Sequence, residues 1–219
     1  MTAARVVLVH GAWHGSWCWD PVLDRLEGCD VVAVDLPSTL SADATFEDDV
    51  AVVRDVVSGP TVLCGHSYGG VVIGAAAAHD DVAHCVFLCA FAQEDGAERI
   101  GVDASLFSAL RFDGAITTID PALANQAFYA DVHPDLAAAA ITKLRPQVLA
   151  ATGATAGIGA WRSKPSTYVV CTEDQAIAPD AQRGMAAGCD EVVEWACSHS
   201  PMLSKPDDVA ALLRRVAGS

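Results

Sequence analysis

TVLCGHSYGGVVIGAAAAH (61–79) is the stretch whose reading decides the fold. A β-branched apolar run, TVLC (61–64), meets Gly65-His66-Ser67-Tyr68-Gly69 and passes directly into the helical run VVIGAAAAH (71–79). This is G-x-S-x-G between a strand and a helix. A serine at the apex of so sharp a turn is strained, and side chains at the flanking positions would strike neighbouring backbone, hence glycine. The turn lifts the Ser67 hydroxyl above the sheet, towards the positive N-terminal end of the helix. Gly70 is expected to let that helix approach the sheet closely.

Working outward, the same alternation recurs. RVVLVH (5–10), DVVAVDL (30–36), HCVFLCAF (84–91), STYVVC (166–171) and EVVEWAC (191–197) read as further strands. Their nearly continuous apolar character suits parallel strands covered on both faces. Helical patterns begin near Trp19, Thr45, Tyr68 and Pro179, and a last one runs from Lys205 or Pro206 to Ala217. Thr45 with Asp48 forms a capping box, and VAALLRRV keeps one apolar stripe. Strand–helix alternation predicts an α/β fold with a mostly parallel central sheet of about six strands flanked by helices. One domain spans 1–219, with 93–162 inserted as a small helical cap. That interval shows no convincing strand but carries helical patterns such as DPALANQAFYA (120–130) and HPDLAAAAITKL (133–144). Long insertions at a strand's end often cover a site.

Composition limits the function classes. The 219 residues suit one domain, and such a chain buries about 70–75% of its unfolded surface. Hydrophobic residues make up 52% and charged residues 19%, too apolar for disorder, yet no apolar run reaches membrane-spanning length. The net charge of −15 argues against nucleic acid and against anionic membranes as partners. A homodimer stays open. The eight cysteines form no C-x-x-C pair and lie mostly inside apolar runs, so they read as buried filler rather than a disulfide framework. The N-terminal MTAARVVLVHG enters a strand at once, without the features of a signal peptide. The expectation is a cytoplasmic chain with reduced thiols. No metal-ligand spacing or dinucleotide fingerprint is present, so no cofactor or metal is expected.

A serine hydroxyl needs a base. Of seven histidines, His199 lies in a loop after the last strand and fits the chain order serine, acid, histidine. His10, His14 and His66 cluster near the first strand's end and the turn, and shape the site or its support. Asp174, directly after STYVVC, is the acid expected at a strand's carboxyl end. Glu173 should then point away, and Asp95, after HCVFLCAF, is the alternative. The carboxylate would fix the tautomer of His199 and stabilise its imidazolium. Two amides should bind the developing oxyanion, those of Tyr68 and of Ala12 in the loop His10-Gly11-Ala12-Trp13.

VHGAWHGSWCW (9–19), CGHSYGG (64–70), CTEDQAI (171–177) and SHSPML (198–203) together resemble the α/β-hydrolase superfamily. More narrowly they resemble its small carboxylesterase group, which includes plant methyl esterases and hydroxynitrile lyases. The resemblance implies Ser67, Asp174 and His199 as triad, with Ala12 and Tyr68 as oxyanion amides. It also separates two reactions. The lyases carry threonine after the first histidine of the loop and lysine after the catalytic histidine, where this chain has Gly11 and Ser200. Glycine at 11 is the esterase pattern; Ser200 matches neither. The expected function is hydrolysis of a small, largely apolar carboxylic ester or lactone through an acyl-serine. A lyase or other general-base reaction, or a ligand-binding protein with residual esterase activity, is the alternative. Phe107, Leu110, Phe112, Phe128, Tyr129 and Trp161 are candidates for an acyl pocket, as against plain core. Trp13, Trp17 and Trp19 cluster near the oxyanion loop.

Overall fold

A computed structural model describes residues 3–96, 102–153 and 157–218. In chain order the elements are β1 (Arg5–Val9), α1 (Asp20–Leu23), β2 (Val31–Val34), α2 (Phe46–Asp55), β3 (Thr61–His66), α3 (Gly69–Ala76) and β4 (Val82–Leu88). There follow α4 (Ala104–Ala109), β5 (Leu110–Asp113), β6 (Ile116–Ile119), α5 (Pro121–Phe128), α6 (Pro134–Thr142) and β7 (Gln147–Val148). The chain closes with β8 (Ser166–Cys171), α7 (Pro179–Ala186), β9 (Glu191–Trp195), α8 (Pro201–Ser204) and α9 (Pro206–Ala217).

Six of the strands form one sheet in the order β2-β1-β3-β4-β8-β9, and every pairing is parallel. The central strands β3 and β8 are buried along their whole length, as continuous apolar runs require. The edge strands β2 and β9 are only half covered, because each has one neighbour and the flanking helices do not reach across it. The register pairs Val9 with Gly65, Gly65 with Phe87, Leu88 with Val169 and Cys171 with Trp195. The carboxyl ends of five strands are thus level along one edge. The strand order reverses between β1 and β3, where open α/β sheets leave a crevice.

The capping box forms as expected. Asp48 N donates to Thr45 Oγ1 at 3.2 Å, Thr45 N donates to Asp48 Oδ2 at 2.8 Å, and α2 starts at Phe46.

The segment between β4 and β8 corrects the expectation of an all-helical insertion. Besides α4, α5 and α6 it holds a second, antiparallel sheet in the order β5-β6-β7. Asp113 pairs with Ile116 across Gly114 and Ala115, and Gly114 has φ of +58°. An Asp-Gly pair between two β-prone runs is a hairpin signal. LRFD does alternate apolar and polar residues, but the run is only four residues long and largely exposed, so it marks a strand weakly. Among the described residues no helix is long and apolar enough to cross a membrane. None of the eight cysteines is in a disulfide.

Candidate active site

The turn after β3 has the geometry its glycines foretold. Ser67 has φ of +52°, a left-handed conformation that costs a β-substituted residue roughly 1–3 kcal/mol and is held only by its surroundings. Those surroundings are specific. A Cβ on Gly65 would lie 2.6 Å from Gly69 O, and one on Gly69 would lie 2.5 Å from Val9 O and 2.7 Å from His10 O. Gly69 therefore lets α3 start against the end of β1. Gly70, given that role in the sequence reading, faces Ala90 and Phe91 just beyond β4 instead, because it is turned one residue further around the helix. Phe91 N and Gly70 N both donate to Ser67 O, at 3.1 and 3.0 Å.

The histidine after β9 and the carboxylate after β8 meet. His199 Nδ1 donates to Asp174 Oδ2 at 2.7 Å, and both side chains are buried. Asp174 Oδ1 accepts the Ala176 and Ile177 amides at 2.7 and 3.0 Å. Glu173 is exposed and points elsewhere. Asp95, the alternative acid, is engaged away from His199: its Oδ1 accepts the amides of Ile158 and Gly159 at 2.7 and 2.9 Å.

Sequence reasoning missed Gln182. This fully buried side chain donates to Asp174 Oδ2 at 2.7 Å and to Ile177 O at 2.8 Å, and accepts Cys171 N at 2.9 Å. Only its place three residues into a helix that packs on β8 could have suggested it.

Three other buried histidines lie in the serine turn and in the loop after β1. His66 Nε2 donates to His199 O at 2.7 Å and so holds the backbone of the histidine that faces Asp174. His10 Nδ1 lies 2.8 Å from Gly11 O, and His14 Nδ1 lies 2.9 Å from Ala12 O. Burial pushes His10 down to about 4 and His14 down to about 3, and holds His66 well below the ordinary imidazole value, so all three are neutral at physiological pH. His66, Cys89 and His199 offer ligand atoms within 4.8 Å of one another. They are no metal cradle, because His66 Nε2 and Cys89 Sγ both converge on His199 O, which fills the space between them.

Ala12 and Tyr68 flank the serine. Among the described residues, neither amide donates to another protein group. The Tyr68 ring is fixed by a buried polar chain. Its Oη donates to Asp49 Oδ2 at 2.7 Å, Ser38 Oγ donates to the same oxygen at 2.5 Å, and Gln147 Nε2 donates to Ser38 Oγ at 2.9 Å. Burial raises Asp49 above the ordinary carboxylate range. On the other side Trp13, at φ +61°, donates from Nε1 to Thr117 Oγ1 at 3.1 Å. The inserted segment, through Thr117 and Gln147, therefore braces both amide-bearing turns.

Ser67 opens onto a cavity of ≈ 320 Å³ lined by Ala12, Trp13, Tyr68, Val71, Phe91 and Leu106, among others, and among the described residues no charged side chain lines it. Of the acyl-pocket candidates read from the sequence, Leu110 lines this cavity; Trp13 of the oxyanion loop lines it too. Phe107 and Phe112 lie on the outer surface, while Tyr129 and Trp161 are core. Phe128 is buried with its ring 5.8 Å from that of His199. Trp19 is core and Trp17 stacks on His14.

The comparisons agree with this fold. Residues 6–212 match the model of the alpha/beta hydrolase family. Methylesterase 4 of Arabidopsis thaliana is 30% identical over 255 residues, covering 97% of this chain and 96% of its own. Methyl jasmonate esterase 1 of Vitis vinifera is 29% identical over 260 residues, covering 97% of this chain and 96% of its own. A solved pyrethroid hydrolase from Sphingobium faniae JZ-2 superposes with a TM-score of 0.87 at 24% identity, covering 100% of this chain and 98% of that one, a likeness of fold.

Proposed function

The chain belongs to the alpha/beta hydrolase family and is a carboxylesterase-type hydrolase, and on that footing we propose that it cleaves a small, largely apolar carboxylic ester or lactone through an acyl-serine. Ser67 is the nucleophile, His199 the base and Asp174 the acid that orients it. Ser67 Oγ attacks the carbonyl carbon as His199 Nε2 takes its proton. The Ala12 and Tyr68 amides receive the charge that develops on the carbonyl oxygen. His199 then returns the proton to the leaving alcohol, and water activated by the same nitrogen releases the acid.

The observation that carries this reading is the buried 2.7 Å contact between His199 Nδ1 and Asp174 Oδ2. It commits the other imidazole nitrogen to act as a proton acceptor. The cavity supports a neutral substrate, since burying an unpaired charge among its apolar walls would be strongly unfavourable. The lyase alternative is disfavoured at residue 11. A Cβ there would lie 2.8 Å from Ser67 Cβ and 2.9 Å from His66 Nδ1, so the threonine of the resembling lyases has no room.

The test is a p-nitrophenyl ester series of increasing acyl length, run beside Ser67→Ala. Turnover that falls off once the acyl chain outgrows the cavity, and that drops at least about 10³-fold in the variant, fits the reading. Undiminished turnover in the variant would refute it.

A further inference from the structure

We propose that His10 and His14 are positioning residues for the oxyanion site: each is a neutral imidazole that draws one loop carbonyl away from the cavity, and together they aim the Ala12 N–H at the substrate oxygen. The inference rests on the reading of Ala12 as an oxyanion donor given above.

The hydrogen bonds themselves fix the tautomers. Leu36 N can only donate, and it lies 3.0 Å from His10 Nε2, so that nitrogen carries the lone pair. The single proton of His10 is then on Nδ1, where it reaches Gly11 O at 2.8 Å. For His14 it is the acceptor that fixes the tautomer. Ala12 O can only accept, so His14 Nδ1 at 2.9 Å must hold the proton, and Nε2 accepts the Tyr129 hydroxyl at 2.8 Å. Both rings are at most 1% exposed, and each has both nitrogens engaged. Buried imidazoles of this kind are commonly structural. What sets these two apart is that they hold consecutive carbonyls in the loop that borders the serine.

The consequence for Ala12 is geometric. The Gly11–Ala12 peptide is trans, so its C=O and N–H point in opposite directions. Turning Gly11 O onto His10 therefore turns Ala12 N–H the other way, and Ala12 lines the cavity beside Ser67. Holding Ala12 O on His14 fixes the next peptide as well, so the Ala12 residue is held from both sides. Donation to Gly11 O also polarises the peptide and strengthens its N–H as a donor. Asp35 lies 3.9 Å from His10 Nε2, but Arg145 pairs with it at 2.6 Å. His14 faces the rings of His66, Trp17, Phe128 and Tyr129.

The test uses the full chain with alanine and asparagine at each position, because the amide nitrogen of asparagine can stand where Nδ1 stands. His10→Ala and His14→Ala should lower kcat by about tenfold to a hundredfold with KM within about threefold, a fraction of the loss of a whole oxyanion donor. Affinity for an alkyl trifluoromethyl ketone, whose adduct oxygen occupies the oxyanion site, should fall in parallel. His10→Asn and His14→Asn should recover most of both losses. Asparagine variants as impaired as the alanine ones, or alanine variants with full inhibitor affinity, would overturn the proposal. Should the variants fail to fold, ¹⁵N shifts of the wild-type imidazoles decide. Neutral Nδ1–H forms from pH 6 to 8 support the proposal, and a protonated or Nε2–H form overturns it. Ser67→Ala, run alongside, separates the two readings. If it stays active the acyl-serine scheme has failed, whereas a dead Ser67→Ala beside fully active histidine variants refutes this proposal alone.

Discussion

Gln182 Nε2 and His199 Nδ1 donate to the same oxygen, Asp174 Oδ2, each at 2.7 Å. The carboxylate is thereby held in one orientation by a neutral amide from α7. Its other oxygen is held by two backbone amides. Gln182→Met fills a similar volume but supplies none of the three hydrogen bonds. It leaves Cys171 N and Ile177 O without partners, at about 1–3 kcal/mol for each buried group. The expected outcome is a loss of roughly 2 kcal/mol or more in urea denaturation and at least about a tenfold fall in kcat. Unchanged kcat in a destabilised but folded variant would make Gln182 purely structural.

Position 11 is a second sharp test. A Cβ there meets Ser67 Cβ at 2.8 Å, and the serine has no slack because its own φ is already positive. Gly11→Ala should destabilise by about 1–3 kcal/mol through overpacking and should lower kcat/KM substantially. Gly11→Thr should do worse and should not create cyanohydrin cleavage. Steady-state kinetics on both variants, with thermal melts, check this.

The three neutral histidines give stability a defined pH dependence. In the unfolded chain each imidazole binds a proton near pH 6.5; in the fold His10 does so only at about 4 and His14 at about 3, with His66 also far down. Below pH 6.5 the unfolded state therefore holds more protons than the folded one. Stability is highest above 6.5 and is lost as pH falls from 6.5 towards 4. The slope approaches about 1.4 kcal/mol per pH unit for each histidine. Urea midpoints measured from pH 7.5 to 5 should fall steeply, and His14→Asn should show a shallower slope than the wild type. A flat profile would contradict the buried neutral assignment.

Cysteine reactivity should be low in the native state. Cys18, Cys64, Cys85, Cys89, Cys171 and Cys197 are fully buried, and burial pushes Cys85 and Cys89 up to about 12. Cys29 and Cys189 alone are partly exposed. A thiol reagent at pH 8 should label at most these two rapidly, and all eight in denaturant. Rapid labelling of Cys89, Cys171 or Cys197 would show that the C-terminal ends of β4 and β8 open in solution.

What the sequence disclosed depended on range. G-x-S-x-G, the β-branched runs and the Thr45–Asp48 cap are local patterns, and the structure forms each where it was read. Chain order and placement after strands singled out Asp174 and His199, and the folded chain brings them together. Gln182, Tyr129 and the Asp49–Ser38–Gln147 chain were not legible. Each acts through a contact made by tertiary packing, and a buried glutamine or tyrosine has no pattern that distinguishes it from core. The β5–β6 hairpin was missed for a different reason. Its Asp113-Gly114 turn was visible, but the four-residue strands on either side of it are too short to stand out as a period. Gly11 was already legible as the residue that separates the esterase from the lyase pattern; the structure adds the packing of Ser67 against it.

The central claim is that Ser67 is the nucleophile of an ester-cleaving site. It is tested most directly by peptide mapping after treatment with a fluorophosphonate. The account predicts a single stoichiometric adduct on Ser67, formed as p-nitrophenyl ester turnover is lost and absent from Ser67→Ala. A folded protein that turns over esters with Ser67 unmodified, or that carries the adduct on another residue, would contradict it.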